Sequence, residues 1–570
     1  MPMPGHSPRD TTVVVLGCGI NGAALARELL LSGVRVVVVE ADDIASGATA
    51  WSTRLVHGGL RYLEYGEVGL VRESLQERDR LVRLAPHLVR PLEFYLPVRT
   101  AWGGLPAAAA RLVGCESLAR RWRPRSGRGS VAVGLGLALY DALSVGSHWP
   151  RHRMVRAGAP GLPAVDAREF PRGAVYADAQ MLFPERFTVE LCVDARRIAA
   201  EQQTDFQLLT HAAIERRADG GLRVRGRDGA HDLEPAAIVN ATGAWADRTR
   251  EEVLPGPASR LIGGTKGSHL VLDAAPLRAA LGERGVYAEA DDGRPVFVLP
   301  FGPRLVLVGT TDIPFTGDPS TAKADEQEIA YLLAAAARLF PGVAPGRGAV
   351  QQHYCGVRPL PAGDGGVPAA VTRRHMLVGH ASAPQPTWSI VGGKLTTCRS
   401  LAEQAAREIL GALGLPVRAT SRERPLPGAL AAADRVACMA DAAAGLRAVG
   451  LDATQADRAA AATVALFGAR ARDVGRRAAE TPRGGPALLA GTDLPTAAIG
   501  FCVREEWASS LPDLVERRLM LAFAPGLAET TLAAVAAELV RLGMLPAEAA
   551  GAEVARQVRE MHDRYGKTVA

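Results

Sequence analysis

Residues 12–40 read TVVVLGCGINGAALARELLLSGVRVVVVE, and this stretch decides the fold. Thr12 to Leu16 is a short, β-branched apolar run, the pattern of a buried strand. Gly17-Cys18-Gly19-Ile20-Asn21-Gly22 follows at once, and a helix is predicted from Ala23 to Leu31, closed by Ser32-Gly33. A second apolar run, Val34 to Val39, ends at Glu40, so the chain opens on a complete βαβ unit. Alone the glycine string is weak, because the chain carries 61 glycines. Its setting makes it specific: it leaves a strand, opens a helix, and is answered by an acidic residue at the end of the next strand. Gly17 permits the tight turn, Gly19 lets backbone amides approach a pyrophosphate, and Gly22 lets helix and strand pack closely. The helix N-terminus stabilises phosphate charge. Glu40 would accept hydrogen bonds from ribose hydroxyls and repel a 2′-phosphate, which disfavours NADP.

Outward from this unit, an amphipathic helix pattern runs from about Glu64 to Val89, closed near Pro91. Thr100 to Val175 is rich in Gly, Pro and Arg and reads as irregular. Leu222 to Val224 and the apolar residues before Asn240 flank an Arg-Asp-Gly turn. Pro295–Pro300 and Leu305–Val308 flank Phe301-Gly302-Pro303-Arg304, a hairpin signal. These predict a second, largely antiparallel sheet. Beyond about Val417 the chain is Ala/Leu-rich with helical spacing. The expected division is 1–410, an intertwined cofactor and substrate domain, and 411–570, a helical C-terminal domain.

A chain of 570 residues exceeds one hydrophobic core. With 48% apolar and 22% charged residues it is neither disordered nor membrane-spanning, for no run reaches the roughly 18 apolar residues a spanning helix needs. Met1 to Asp10 has no apolar signal core. Seven cysteines stand singly, which reads as reduced thiols in a cytosolic compartment and not as a metal site. A net charge of +6 admits nucleic acid, anionic lipid or an anionic substrate. Nucleic acid is disfavoured, since the arginines are mixed with acids and lack interleaved aromatics. Lysine occurs only four times, so Lys394 inside a glycine-bounded motif hints at a need for a compact ammonium.

Glycine-containing strand ends recur at Asn240-Ala241-Thr242-Gly243 and Gly392-Gly393-Lys394, which suits a long ligand such as FAD. Taken in order, GCGING, LVHGGLRYLE, VNATGAW, TKGSHLVL, LVGTTD, GVRPL and GGKLTT resemble the FAD-dependent glycerol-3-phosphate dehydrogenases. Phe501 to Ala508 also resembles that family's helical domain, so the likeness runs from about Thr12 to about Leu542. It implies a Rossmann-like FAD domain of the glutathione-reductase/D-amino-acid-oxidase type, a mixed substrate sheet and a helical C-terminal domain. It further implies oxidation of glycerol 3-phosphate to dihydroxyacetone phosphate, with electrons passed to a quinone. The alternatives are an oxidase or dehydrogenase of another alcohol or amine on the same fold and, from another class, a non-catalytic flavin-bearing interaction or nucleic-acid-binding protein.

By this resemblance Gly17, Gly19, Gly22 and Glu40 bind the ADP half of FAD, and Ala241, Thr242 and Gly243 its pyrophosphate side. Ser52, Leu55 and Gly58 line the ribityl and ring region; Gly393, Lys394 and Thr396 approach the isoalloxazine. Arg61, Arg358, Arg373 and Lys394 match positions near substrate, where Arg suits bidentate phosphate contacts. His57 is the expected proton acceptor, with Arg358 and Lys394 stabilising alkoxide charge. Tyr62 and Thr311 are further substrate contacts. Against these stand plainer readings: His57 satisfying a buried carbonyl, Arg61 on the surface, Asp312 merely ending a hairpin, and Glu505-Glu506-Trp507 as helix packing and a solvated face.

The chain departs from the family at Arg54, where lysine is usual, across Asp178–Arg186, at Arg374 after Arg373, and at Cys398 in place of tyrosine. Ala101 to Arg128 is enlarged, and its Arg120-Arg121-Trp122-Arg123-Pro124-Arg125 precedes the apolar Val131–Leu143 run. That pairing fits shallow docking on an anionic bilayer, or an arginine-rich surface insertion. The expected partners are a small phosphorylated polyol, a quinone and the inner face of the cell membrane, in a cytoplasmic protein whose oligomeric state, homodimer included, stays open.

Overall fold

The computed structural model describes residues 7–103, 129–144, 146, 148–227, 229–254, 260–362, 374–480 and 486–570. The opening βαβ unit is present: strand Thr12–Leu16, helix Ile20–Leu30 and strand Arg35–Val39. The helix begins three residues before its expected start, with Gly19 as its N-cap, so its first amides face the glycine turn. Six strands form the first sheet, in the order Met376–Gly379, Thr387–Val391, Ala237–Asn240, Thr12–Leu16, Arg35–Val39, Phe206–Leu209. All its pairings are parallel except the one between the first two.

Both faces of this sheet are covered, which is why its strands are continuous apolar runs. Val13 and Val15 pack with helices Ile20–Leu30, Pro184–Gln202 and Cys398–Ala412. Val14 and Leu16 pack on the opposite side with Leu222, Val224 and Val253. A three-stranded sheet lies there, Ala213–Arg216, Leu222–Gly226 and Gly229–Leu233. The expected pairing across the Arg-Asp-Gly turn is thereby corrected. Leu222–Gly226 pairs with Gly229–Leu233, and the strand ending at Asn240 belongs to the parallel sheet.

The second sheet is mixed and mostly antiparallel, with its one parallel pair between Gly285–Glu289 and Val89–Val98. The hairpin of Pro295–Phe301 with Leu305–Gly309 forms as expected. Thr100 to Val175 is not irregular throughout: it holds helix Ser130–Leu143 and strand Arg153–Arg156. The amphipathic helix starts only at Val68, because Leu60–Tyr65 makes a 3₁₀ turn closed by Gly66 at φ +73°. No helix among the described residues is long and apolar enough to cross a membrane.

The last quarter is helical, from Arg435–Arg447 to Ala550–Tyr565. It is fastened to the sheets by buried ion pairs. Glu506, expected on a solvated face, is 0% exposed and accepts from Arg186 (2.5 and 2.8 Å) and Arg470 (2.5 Å). Arg517 and Arg518 donate to Asp43 at 2.6 to 2.8 Å, three residues beyond Glu40.

Candidate active site

The glycine turn is closed by contacts that tolerate no side chain. A Cβ on Gly22 would lie 2.0 Å from the Gly17 carbonyl oxygen, and one on Gly17 2.9 Å from the Ala241 oxygen. Gly17 also has φ +95°. Glu40 reaches back beneath the turn and accepts from the amides of Cys18 (2.6 Å) and Asp42 (3.0 Å), while burial raises its carboxyl pKa.

From this turn a cavity of about 820 Å³ extends between the two sheets. Gly17, Gly19, Glu40, Ser52, Leu55, Ala241, Thr242, Gly243, Gly393 and Thr396 line it. His57, Arg61, Tyr62, Arg358 and Lys394 line it as well. Three of the expected residues are elsewhere. Gly22 packs behind the turn, where its closeness to Gly17 sets the helix position. The Gly58 amide donates away from the cavity, to Tyr140 Oη (2.9 Å) and Asp178 Oδ1 (3.2 Å). Thr311 is corrected too: it is 1% exposed, and its hydroxyl donates to Glu328 Oε1 at 2.7 Å within the protein. Thr310 and Asp312 take the cavity side instead. Arg373 and the Arg120–Arg125 segment lie outside the described residues.

His57 is clasped through its backbone: its amide donates to Thr396 Oγ1 (3.1 Å), which donates to the His57 carbonyl (3.3 Å). Burial, and then the charge on Lys394, push its pKa down to about 3, so the imidazole is neutral. Lys394 Nζ sits 4.9 Å from the centre of the Tyr62 ring, a cation–π contact. The Arg358 guanidinium donates to Asp312 Oδ1 (3.0 Å), Thr310 Oγ1 (2.7 Å) and the Thr311 carbonyl (3.2 Å). Asp312 is therefore half of an ion pair and not just the end of a hairpin.

The departures at Arg54 and across Asp178–Arg186 meet in the fold. Arg54, fully buried in the cavity wall, makes a two-pronged pair with Glu185 (2.6 and 2.9 Å). Arg374 pairs with Glu67 at 3.4 Å. Several lining residues escaped the sequence reading. Asn21 ties the glycine turn to Gly392 through Nδ2 (3.3 Å). His269 stacks on Tyr354 at 4.9 Å and shares a 2.9 Å hydrogen bond with Thr53. Arg564, from the last helix, lies 5.1 Å over the Trp51 ring. Asn21 and His269 stood inside quoted motifs; Arg564 carried no local signal.

A nucleotide-type turn opening on a long cavity lined also by cations and an imidazole defines a dinucleotide-dependent oxidoreductase. Comparison agrees. Residues 12–399 match the FAD dependent oxidoreductase family. A glycerol-3-phosphate dehydrogenase of Synechocystis is 33% identical over 533 residues, 90% of this chain and 88% of that one. A D-erythritol 1-phosphate dehydrogenase of Brucella abortus is 31% identical over 529 residues, covering 90% and 94%. The glycerol-3-phosphate dehydrogenase of Bacillus halodurans, complexed with FAD, shares the fold with a TM-score of 0.69 at 22% identity, over 97% of this chain and 94% of that one. The chain belongs to the FAD-dependent oxidoreductases and, within them, to the glycerol-3-phosphate dehydrogenase family.

Proposed function

We propose that the protein oxidises sn-glycerol 3-phosphate to dihydroxyacetone phosphate with FAD, and that a quinone takes the electrons onward. The observation that carries this reading is that Arg61, Arg358, Lys394 and a neutral His57 line the same cavity as Glu40 and the glycine turn. The residues fit the cofactor: the turn at Gly17 and Gly19 would hold its pyrophosphate and Glu40 its ribose. Bound FAD supplies a hydride acceptor for C2 of the substrate. The arginine forks receive the phosphate dianion, for which paired N–H donors are matched in geometry. His57 offers an uncharged imidazole nitrogen to the C2 hydroxyl proton. Burial is the main cause of the low His57 pKa and Lys394 the lesser one; a phosphate dianion near Lys394 would offset that lesser part and raise the ring's proton affinity accordingly. Lys394 and Arg358 stabilise the alkoxide as it forms.

The test is anaerobic titration of the purified yellow protein, after mass analysis of its released cofactor. Glycerol 3-phosphate should bleach the flavin and free glycerol should be very poor. Equal reduction by glycerol or an amino acid would sink the assignment. The Brucella relative favours a second reading, oxidation of a longer polyol phosphate; faster bleaching by D-erythritol 1-phosphate would select it. Membrane contact belongs to the same proposal. Helix Ser130–Leu143 exposes Leu135 (64%) and Leu139 (42%) directly after the arginine-rich stretch. Sedimentation with anionic vesicles should be lost in a Leu135→Ser/Leu139→Ser variant, and unchanged sedimentation removes the idea.

A further inference from the structure

Thr311, turned away from the cavity, stands at the centre of a buried bracket. Its hydroxyl donates to Glu328 Oε1 (2.7 Å) and accepts from the Ser268 amide (2.8 Å). Ser268 Oγ donates to the same Glu328 oxygen (2.9 Å), and Lys266 Nζ lies 2.7 Å from the other. Glu328 is itself fixed, as the reciprocal partner of Asp325 at the start of helix Glu326–Leu339. The peptide between Thr310 and Asp312 is thus pinned from behind, while both neighbours of Thr311 hold Arg358 from the front. Arg358 crosses Gly267 so closely that a Cβ there would lie 2.1 Å from its Nη2.

We propose that Thr311 is a positioning residue: by anchoring the Thr310–Asp312 turn to Glu328 it sets the direction of the Arg358 guanidinium and hence the transition-state charge that Arg358 can meet. This rests on the reading of Arg358 as a substrate contact. A guanidinium fork is a planar donor set, so its usefulness depends on angle as well as charge. A misplacement of about 1 Å from a residue outside the chemistry costs up to about 10²-fold in rate. Buried hydroxyls with both a donor and an acceptor partner make stiff supports of this kind.

The experiment compares Thr311→Val, which keeps the shape and removes the hydroxyl, with Thr311→Ser, which keeps the hydroxyl. Flavin bleaching at saturating glycerol 3-phosphate should fall about tenfold in Thr311→Val and stay within about twofold of the parent in Thr311→Ser. FAD content and the oxidised flavin spectrum should match the parent in both. Gly267→Ala, which pushes the guanidinium aside while leaving the bracket whole, should show the same kinetic loss. A Thr311→Val protein as fast as the parent overturns the proposal, as does a Thr311→Ser protein as slow as the valine variant. Should Thr311→Val fail to fold, Asp312→Asn takes its place beside Gly267→Ala, and parent rates in both are the overturning result. If the parent itself is not bleached by glycerol 3-phosphate, the functional reading has failed and the proposal falls with it; a bleached parent with indifferent variants condemns the bracket alone.

Discussion

At the junction of strand Thr12–Leu16 with helix Ile20–Leu30, valines, leucines and alanines interlock and a glycine carbonyl fills the place of a side chain. At the junction of the C-terminal helices with the two sheets, Glu506 meets Arg186 and Arg470, Asp43 meets Arg517 and Arg518, and Asp513 meets His211, nearly all out of water. The first junction is made by residues a few positions apart; the second, Arg470–Glu506 at 36 positions excepted, joins residues hundreds of positions apart. Apolar packing tolerates small losses gradually, whereas a buried charge stripped of its partner is costly at once. The two halves of the molecule should therefore fail in different ways.

Gly22→Ala carries the largest expected effect. With 2.0 Å between the new Cβ and the Gly17 oxygen, the turn must open, and we expect a colourless protein by absorbance at the flavin band. A yellow Gly22→Ala protein would show that the apolar junction is more forgiving than described. Glu506→Ala comes next, leaving Arg186 buried without its carboxylate and Arg470 with only Glu190, 3.4 Å away. Such losses cost about 3–5 kcal/mol, read as a lowered denaturation midpoint and early proteolytic release of the C-terminal helices. Glu506→Ala with an unmoved midpoint would erase the contrast between the junctions.

Arg358→Lys and Lys394→Arg sharpen it from the other side, since both keep charge and alter only its shape. A fall on the order of 10²-fold in kcat/KM, about 3 kcal/mol, is expected with normal FAD content and midpoint. Steady-state kinetics beside the flavin spectrum decides it. The smallest effect is at His211, whose pKa is raised first by its hydrogen bond to Asp513, against the cost of burial, with Asp43 and Asp42 adding to it. Arg517 shares the Asp513 carboxylate. A raised imidazole pKa means stability that is complete below the unfolded value of about 6.5 and lost as pH rises through the folded one. Asp513, held below the usual carboxylate range, stays ionised throughout that window. Melting temperature should decline from about pH 6 to 8 in the parent and less steeply in His211→Gln; parallel slopes would show that His211 plays no part.

The same contrast explains what could be read in advance. The βαβ unit, the hairpin at Phe301–Leu305 and the helical character of the C-terminal region are local patterns, and all three formed. Most cavity-lining glycines were legible because positive φ and close approach demand glycine wherever they occur. Thr311 was misplaced because one position along the turn exchanges the cavity for the protein interior. Arg54 and Glu185 looked like two unrelated departures, and only the fold shows them as partners 131 positions apart. Glu506 read as surface because charge implies exposure unless a partner is known, and Arg186 lies 320 positions away.

The order of the parallel sheet also has a consequence in time. Strand Thr12–Leu16 is flanked by Arg35–Val39, synthesised moments later, and by Ala237–Asn240, which follows about 225 residues on. At ribosomal rates of about 5–20 residues per second, one edge of a largely apolar strand waits on the order of 10–45 s for its neighbour. Open edges recruit other chains. The nascent protein therefore passes through a long sticky interval in which a shielding chaperone has something definite to cover, and residues 392–396, which line the cavity, leave the exit tunnel later still.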